Sequence, residues 1–264
     1  MFPLKDNIPN ERFPLVTVAL IALNVIVYLI SIRSGGALFG GPTDTTVVHD
    51  GAIPWELTHP GRYCHYAFVP DAINGGTQEL VRCGFKQPAS GQLSTWQTAF
   101  SAMFLHGGFL HIFGNMLFLA IFGPNVEDAM GSVRFFFFYI VGGLAALALQ
   151  VAVDPSSVAP TLGASGAIAA VLGGYILLYP RARVLTLIFI IFFVTFVELP
   201  AIAVLGFWFL EQVAFAAGGL TSPVGNSGGV AYFAHIGGFV FGLLLVRLLA
   251  RRPRVRPTPR YPVY

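Results

Sequence analysis

Apolar residues run along this 264-residue chain in blocks too long and too unbroken for surface helices or half-buried strands. A helix that crosses a bilayer needs about 20 mostly apolar residues, and six blocks approach that length. The pattern predicts spans over about residues 13–32, 96–122, 133–153, 165–179, 184–217 and 229–249. The second runs through His111 and Asn115, and the fourth is short. The fifth is long enough to hold a helix plus an interfacial turn around Glu198-Leu199-Pro200. Between the first and second lies a Gly- and Pro-rich segment, about residues 33–95. Its apolar clusters, such as Tyr66-Ala67-Phe68-Val69-Pro70, suit the membrane interface better than free solution.

Composition agrees with the pattern. The chain is 55% hydrophobic and only 10% charged, whereas soluble domains are about a quarter charged. Thirty glycines fit as well, because small residues let membrane helices approach closely. The expected class is an all-α integral membrane protein, a multi-pass six-helix bundle. A net charge of +3 is too small to point to nucleic acid. The first block is too long for the apolar core of a cleavable signal and lacks a small-residue cleavage site after it, so it reads as a retained helix.

Orientation follows from Lys and Arg, which are enriched on the cytoplasmic side. With the N-terminus inside, eleven of the 15 basic residues fall in inner segments and four (Arg33, Arg62, Arg82 and Lys86) in outer ones. Both termini are therefore expected to be cytoplasmic. The chain divides into an N-terminal segment 1–12, a membrane domain 13–250 and a basic Arg/Pro tail 251–264 suited to anionic lipid. Cys64 and Cys83 both lie in the outer segment. On an oxidising face they could form a disulfide, with two unrelated thiols as the alternative.

The candidate chemistry sits at matching depths. The fourth block ends at Pro180-Arg181, about 15 residues beyond Ser165, or roughly 22 Å of helix. That is short of the roughly 30 Å hydrocarbon core, so Ser165 should lie below the outer surface. Counting back from Arg247 puts His235 roughly 18 Å above the inner face. A serine nucleophile and its base must come within hydrogen-bond reach, and this agreement in depth permits it. Gly238 and Gly242 follow His235 on one helical face, while Ala169 and Gly173 follow Ser165. Two facing stripes of small residues would allow close approach; packing alone is the bland reading. An ionisable residue within a membrane is costly and usually functional, which favours the sharper one.

His111 and Asn115 are four residues apart and share a helical face. Near Ser165 they would be suitable donors for an oxyanion, together with the Ser165 backbone N–H at a helix N-terminus. Interhelical bonding is their alternative role. His106, before Gly107-Gly108, reads as a structural brace as readily as an active group. No acidic residue is placed to orient His235, so a dyad fits better than a triad. The dispersed histidines lack metal-ligand spacing, and the Gly-rich run before Ser165 follows a loop rather than a strand, so neither metal nor cofactor is expected.

At this point the residues resemble the rhomboid family of intramembrane serine proteases. The resemblance rests on His106-Gly107-Gly108-Phe109-Leu110-His111-Ile112-Phe113-Gly114-Asn115, on Gly163-Ala164-Ser165-Gly166 and on Ala234-His235-Ile236-Gly237-Gly238, in that order. It implies that Ser165 is the nucleophile, His235 the general base, and Asn115, His111 and Gly163 the lining of the oxyanion hole. It implies partners that are single-span membrane proteins within the lipid bilayer, cut near the outer end of their spans. The fifth helix and the loop over about residues 218–228 would act as gate and cap. Bacterial members suggest a prokaryotic cell membrane as the location. Some members place a Tyr one turn after the nucleophile to stack on the histidine; here that position is Ala169.

Two other readings remain open on the sequence. A non-catalytic relative would bind transmembrane helices without cutting them. A solute transporter would use His111, Asn115 and His235 as a polar path, although the internal repeats usual in transporters are not evident.

Overall fold

The computed structural model describes residues 2–70, 77–190, 193–221 and 230–251. In chain order the elements begin with β1 (Phe2–Asp6), α1 (Leu15–Ser31), α2 (Asp44–Asp50), α3 (Pro54–Thr58), β2 (Tyr63–Pro70), β3 (Thr77–Phe85) and α4 (Thr95–Ser101). They continue with α5 (Phe109–Met130), α6 (Ser132–Val153), α7 (Ser165–Leu178), β4 (Arg183–Ile190), β5 (Phe193–Pro200), α8 (Ala201–Thr221) and α9 (Tyr232–Leu249). Among the described residues, four helices are long and apolar enough to cross a membrane: α5, α6, most of α8, and α9. Two shorter apolar helices, α1 and α7, accompany them. The protein is an integral, multi-pass membrane protein.

Helix α7 is the axis of the bundle. Every residue from Gly166 to Tyr175 is buried, which explains a helix that is apolar on all sides. Its small side chains let α9 approach to backbone contact. A Cβ on Gly238 would press on the Gly166 carbonyl, one on Gly242 on the Ala170 carbonyl, and one on Gly173 on the Phe239 carbonyl. Such contact is the source of cohesion where lipid removes any hydrophobic drive between helices.

Polar residues at the opposite end from Ser165 close the bundle. The Glu127 carboxylate accepts the backbone N–H groups of Val16 (2.9 Å) and Thr17 (2.8 Å) and the hydroxyls of Thr17 (2.7 Å) and Ser132 (2.7 Å). It thereby caps the start of α1, whose first N–H groups have no partner within the helix. These four bonds explain how a carboxylate tolerates 3% exposure.

Three sequence expectations need correction. The fold is mostly helical, not all-α. A three-stranded sheet of order β1-β4-β5 and the hairpin β2-β3 lie outside the helices. The fifth apolar block is not one helix with a turn: its first half is the antiparallel hairpin β4-β5, paired from Arg183↔Pro200 to Ile190↔Phe193. Val, Ile, Phe and Thr dominate it, and their branched or aromatic side chains favour pleated backbone. Helix α8 then starts where Ala201 and Ile202 donate to the carbonyls of Ala182 and Pro180. Finally, the second block is two helices. Gly107 and Gly108 interrupt it, and α5 runs on past Pro124 to Gly131, whose φ of +83° ends the helix.

The segment between α1 and α5 is an ordered cap. Cys64 and Cys83 face each other across β2-β3 and are disulfide-bonded. Glu56 of α3, 1% exposed, accepts the Cys64 N–H (2.5 Å) and the Gln92 side-chain amide (3.2 Å); burial pushes its carboxyl above the ordinary range. The cap grips the loop before α7 through a bridge between Ala52 and Thr161 and a Trp55 N–H to Ser157 carbonyl bond of 3.0 Å. The tail from residue 252 and most of the expected cap over 218–228 lie outside the described residues.

Candidate active site

Ser165 is the first residue of α7, so its own N–H and that of Gly166 point out of the helix end without a partner in the helix. The chain reaching it is pinned on both sides. Gly163 N–H donates to the Ala102 carbonyl at 2.8 Å. Ala164 N–H makes a long 3.5 Å bond to His106 Nε2, while His106 Nδ1 donates to the Phe104 carbonyl at 3.2 Å. His106 is fully buried and is the brace of this loop rather than a member of the reacting cluster. Gly163 has φ +114°, and a Cβ there would lie 2.6 Å from His111 Nε2. Both the backbone conformation and the neighbouring ring exclude any larger residue.

His235, in the first turn of α9, reaches back across the Gly166–Gly238 contact. Its Nε2 lies 2.8 Å from Ser165 Oγ. The depth agreement read from the sequence thus corresponds to direct hydrogen-bond contact. A second bond holds the other side of the ring, from Nδ1 to Gln212 Oε1 of α8 at 2.7 Å. Trp208, one turn before Gln212, sets its ring 5.7 Å from the imidazole, and Tyr232 meets it edge-on at 6.5 Å. These α8 and α9 groups surround the imidazole, while Ala169 on α7 packs close to the Gly238 backbone.

His111 and Asn115 project from α5 toward the same place. Both line a cavity of ≈ 560 Å³ together with Gly163, Ser165, Trp208 and His235. Asn115 Nδ2 is buried and has no hydrogen-bond partner among the described residues. It lies 3.6 Å from the Cβ position at Gly163. A buried amide donor left without an acceptor costs about 1–3 kcal/mol, and such costs are concentrated at sites that bind something. Met103, Gly143, Ala146 and Leu147 also line the cavity and add apolar wall to it.

The structure therefore brings together Ser165, His235, His111, Asn115 and Gly163. Gly238 and Gly242 act from the helix interface and do not line the cavity, and Cys64–Cys83 is remote in the outer cap. Sequence reasoning missed Gln212 and Trp208. A signal existed: Gln212, beside Glu211, is an amide inside a mostly apolar helix, and polar groups there are seldom idle.

Comparison with known proteins bears on the same region. The family model for the Rhomboid domain matches residues 93–252. Rhomboid protein 1, mitochondrial, of Saccharomyces cerevisiae is 33% identical over 224 residues, covering 79% of this chain and 59% of that protein. RHOMBOID-like protein 6, mitochondrial, of Arabidopsis thaliana is 31% identical over 159 residues, 58% of this chain and 44% of that one. Rhomboid protease GluP of Bacillus subtilis is 31% identical over 182 residues, 67% of this chain and 31% of its own length. The chain thus spans less than two thirds of each of these relatives.

Proposed function

The chain belongs to the rhomboid family, and from that premise we propose that it is an intramembrane serine endopeptidase. The observation that carries the proposal is the 2.8 Å contact between Ser165 Oγ and His235 Nε2. Ser165 attacks the scissile carbonyl carbon while His235 Nε2 takes the hydroxyl proton. The carbonyl oxygen becomes an oxyanion, for which Asn115 Nδ2, His111 and the N–H groups opening α7 are the donors at hand. The protonated His235 then gives its proton to the leaving amine, and an acyl-Ser165 ester remains. Water attacks that ester with His235 again as base, releasing the second fragment and restoring the serine.

The substrates we propose are single-span membrane proteins, cut near the outer ends of their spans at small residues. The apolar residues lining the cavity, Met103, Ala146 and Leu147 among them, are compatible with an apolar substrate segment there. The proposed topology is six spans with both termini cytoplasmic, supported by the bias of Lys and Arg toward one side. The proposed location is the cell membrane of a prokaryote; of the relatives, GluP is bacterial, while the yeast protein and RHOMBOID-like protein 6 are named mitochondrial.

A fluorophosphonate probe applied to the detergent-solubilised protein tests the assignment. Wild type should be labelled and Ser165→Ala should not. Equal labelling of the two, or client binding without any cleavage product, would overturn it in favour of a non-catalytic binding protein.

A further inference from the structure

The dyad needs only one nitrogen of His235, yet both are held. We propose that Gln212 is the positioning residue of the base, an uncharged third member that fixes the histidine tautomer and makes the dyad competent only while α8 is docked on α9. The proposal rests on the reading of Ser165 and His235 as nucleophile and base.

The direction of each bond follows from the amide. Gln212 Nε2 donates to the Trp208 carbonyl at 3.3 Å, one turn back on α8. An amide nitrogen cannot accept, so this bond sets which end of the side chain faces His235. The oxygen Oε1 faces the ring at 2.7 Å, and an oxygen there accepts, so Nδ1 carries the hydrogen. In the neutral imidazole the other nitrogen is then bare. Nε2 is therefore left as the acceptor for the Ser165 hydroxyl, which is the tautomer a general base requires. The reverse tautomer would set a lone pair of Nδ1 against Oε1.

Charge explains why an amide suits this place. Gln212 is 8% exposed. A carboxylate there would carry a desolvation penalty of several kcal/mol unless the imidazole stayed protonated, and a protonated imidazole cannot act as base. A neutral acceptor orients the ring without biasing it toward the cation. The titratable groups about the ring among the described residues include Tyr232 of α9, edge-on at 6.5 Å, His111 of α5 in the same cavity, and Glu211 beside Gln212 on α8, and all of them are unchanged by substitution of Gln212.

The arrangement also makes the base depend on a helix. Gln212 and Trp208 are both on α8, one turn apart, and both touch His235 of α9. Loss of the α8–α9 contact would break the 2.7 Å bond, so the orientation of the base depends on α8 keeping its place.

The test compares wild type, Gln212→Leu, Gln212→Glu, Ser165→Ala and His235→Ala in proteoliposomes, using a fluorogenic transmembrane peptide and pH profiles of kcat and KM. Gln212→Leu keeps the bulk but no acceptor, and kcat should fall about 10- to 100-fold with KM unchanged, as for a misplaced catalytic group. Gln212→Glu restores an acceptor, and should retain more of kcat than the Leu variant. Its acidic limb should move to higher pH, because a carboxylate favours the imidazolium. The shifted limb reads contact between position 212 and the base, and a merely structural role would give neither the split between kcat and KM nor the rescue by Glu. A Leu variant with the wild-type kcat and profile, or a Glu variant with an unmoved limb, overturns the role of Gln212. If Gln212→Leu fails to fold, the limb of Gln212→Glu alone decides. Retained cleavage in Ser165→Ala or His235→Ala would instead overturn the dyad itself, so the two failures are distinct.

Discussion

The Tyr175 hydroxyl donates to Asp6 Oδ2 at 2.5 Å, fastening the N-terminal strand β1 to the helix that opens with Ser165. Asn125 Nδ2 of α5 donates to the same oxygen at 2.6 Å. One carboxylate thus joins β1, α5 and α7 at the end of the bundle remote from the proposed dyad, where β1 also pairs with β4.

Asp6 gives that joint a pH dependence with a defined sign. Burial pushes its carboxyl up from an ordinary 3.8 to about 6, with the bonds from Tyr175 and Asn125 only partly offsetting the cost. The folded protein therefore holds the proton more tightly than the unfolded chain. The contribution of this group to stability is greatest below about pH 4, falls as pH rises toward 6 and is flat above. At 1.36 kcal/mol per unit the whole change is about 3 kcal/mol. Asp6→Asn keeps an acceptor for both donors and removes the titration. Thermal melts in detergent should show wild type losing stability between pH 4 and 6 relative to Asp6→Asn, and the variant should melt higher at pH 7. Parallel curves would refute the burial argument. Glu11 and Asp128, joined by a 2.9 Å bond at the same end, cancel in the comparison.

Asn115 separates activity from stability. Its Nδ2 is a buried donor with no partner among the described residues, so removing it breaks no hydrogen bond to them. In the proposed reaction it gains an acceptor only when the oxyanion forms. Asn115→Ala should lower kcat by about 10²–10³ while KM and the melting temperature stay near wild type. Turnover and melting measured on the same preparation check this. A fall in melting temperature that matches the fall in activity would make Asn115 a packing residue.

How much of this was legible in the sequence depended on what kind of signal each residue gave. Helices α1, α6, α7 and α9 stand within about three residues of their apolar blocks, because bilayer length sets them. The hairpin β4-β5 was hidden for the opposite reason. Where every position is apolar, neither a period of 2 nor one of 3.6 survives, and length alone suggested a helix. Its signature was compositional, in Val184, Thr186, Val194, Thr195 and Val197 before Pro200. Ser165, His235, His111 and Asn115 were legible because polar groups are rare in such blocks and their depths could be counted. Gln212 and Asp6 were equally polar and were passed over, since their partners lie on elements whose packing no count of residues provides. Glu127 stands out in the sequence only as a carboxylate near the end of an apolar block, and its role as the cap of α1 needed the fold.

The α7–α9 contact yields the last prediction. Gly242 meets the Ala170 carbonyl so closely that even a methyl has no room, and Gly238 meets the Gly166 carbonyl in the same way. Neither clash can be relieved by turning a side chain, because the obstacle is backbone. Gly242→Val must push α9 away from α7, and these are the helices that carry His235 and Ser165. Overpacking of this kind costs about 1–3 kcal/mol, and a separation of about 1 Å can cost 10²-fold in rate. The variant should melt lower and lose fluorophosphonate labelling, although it lies two helical turns from His235. Gly206 of α8 is the control, with nothing among the described residues within 4 Å of its Cβ position. Gly206→Ala should leave melting and labelling unchanged or slightly improved, as expected from the better helix propensity of alanine. Equal behaviour of the two variants would mean that the glycines of α9 are not what brings the base to the serine.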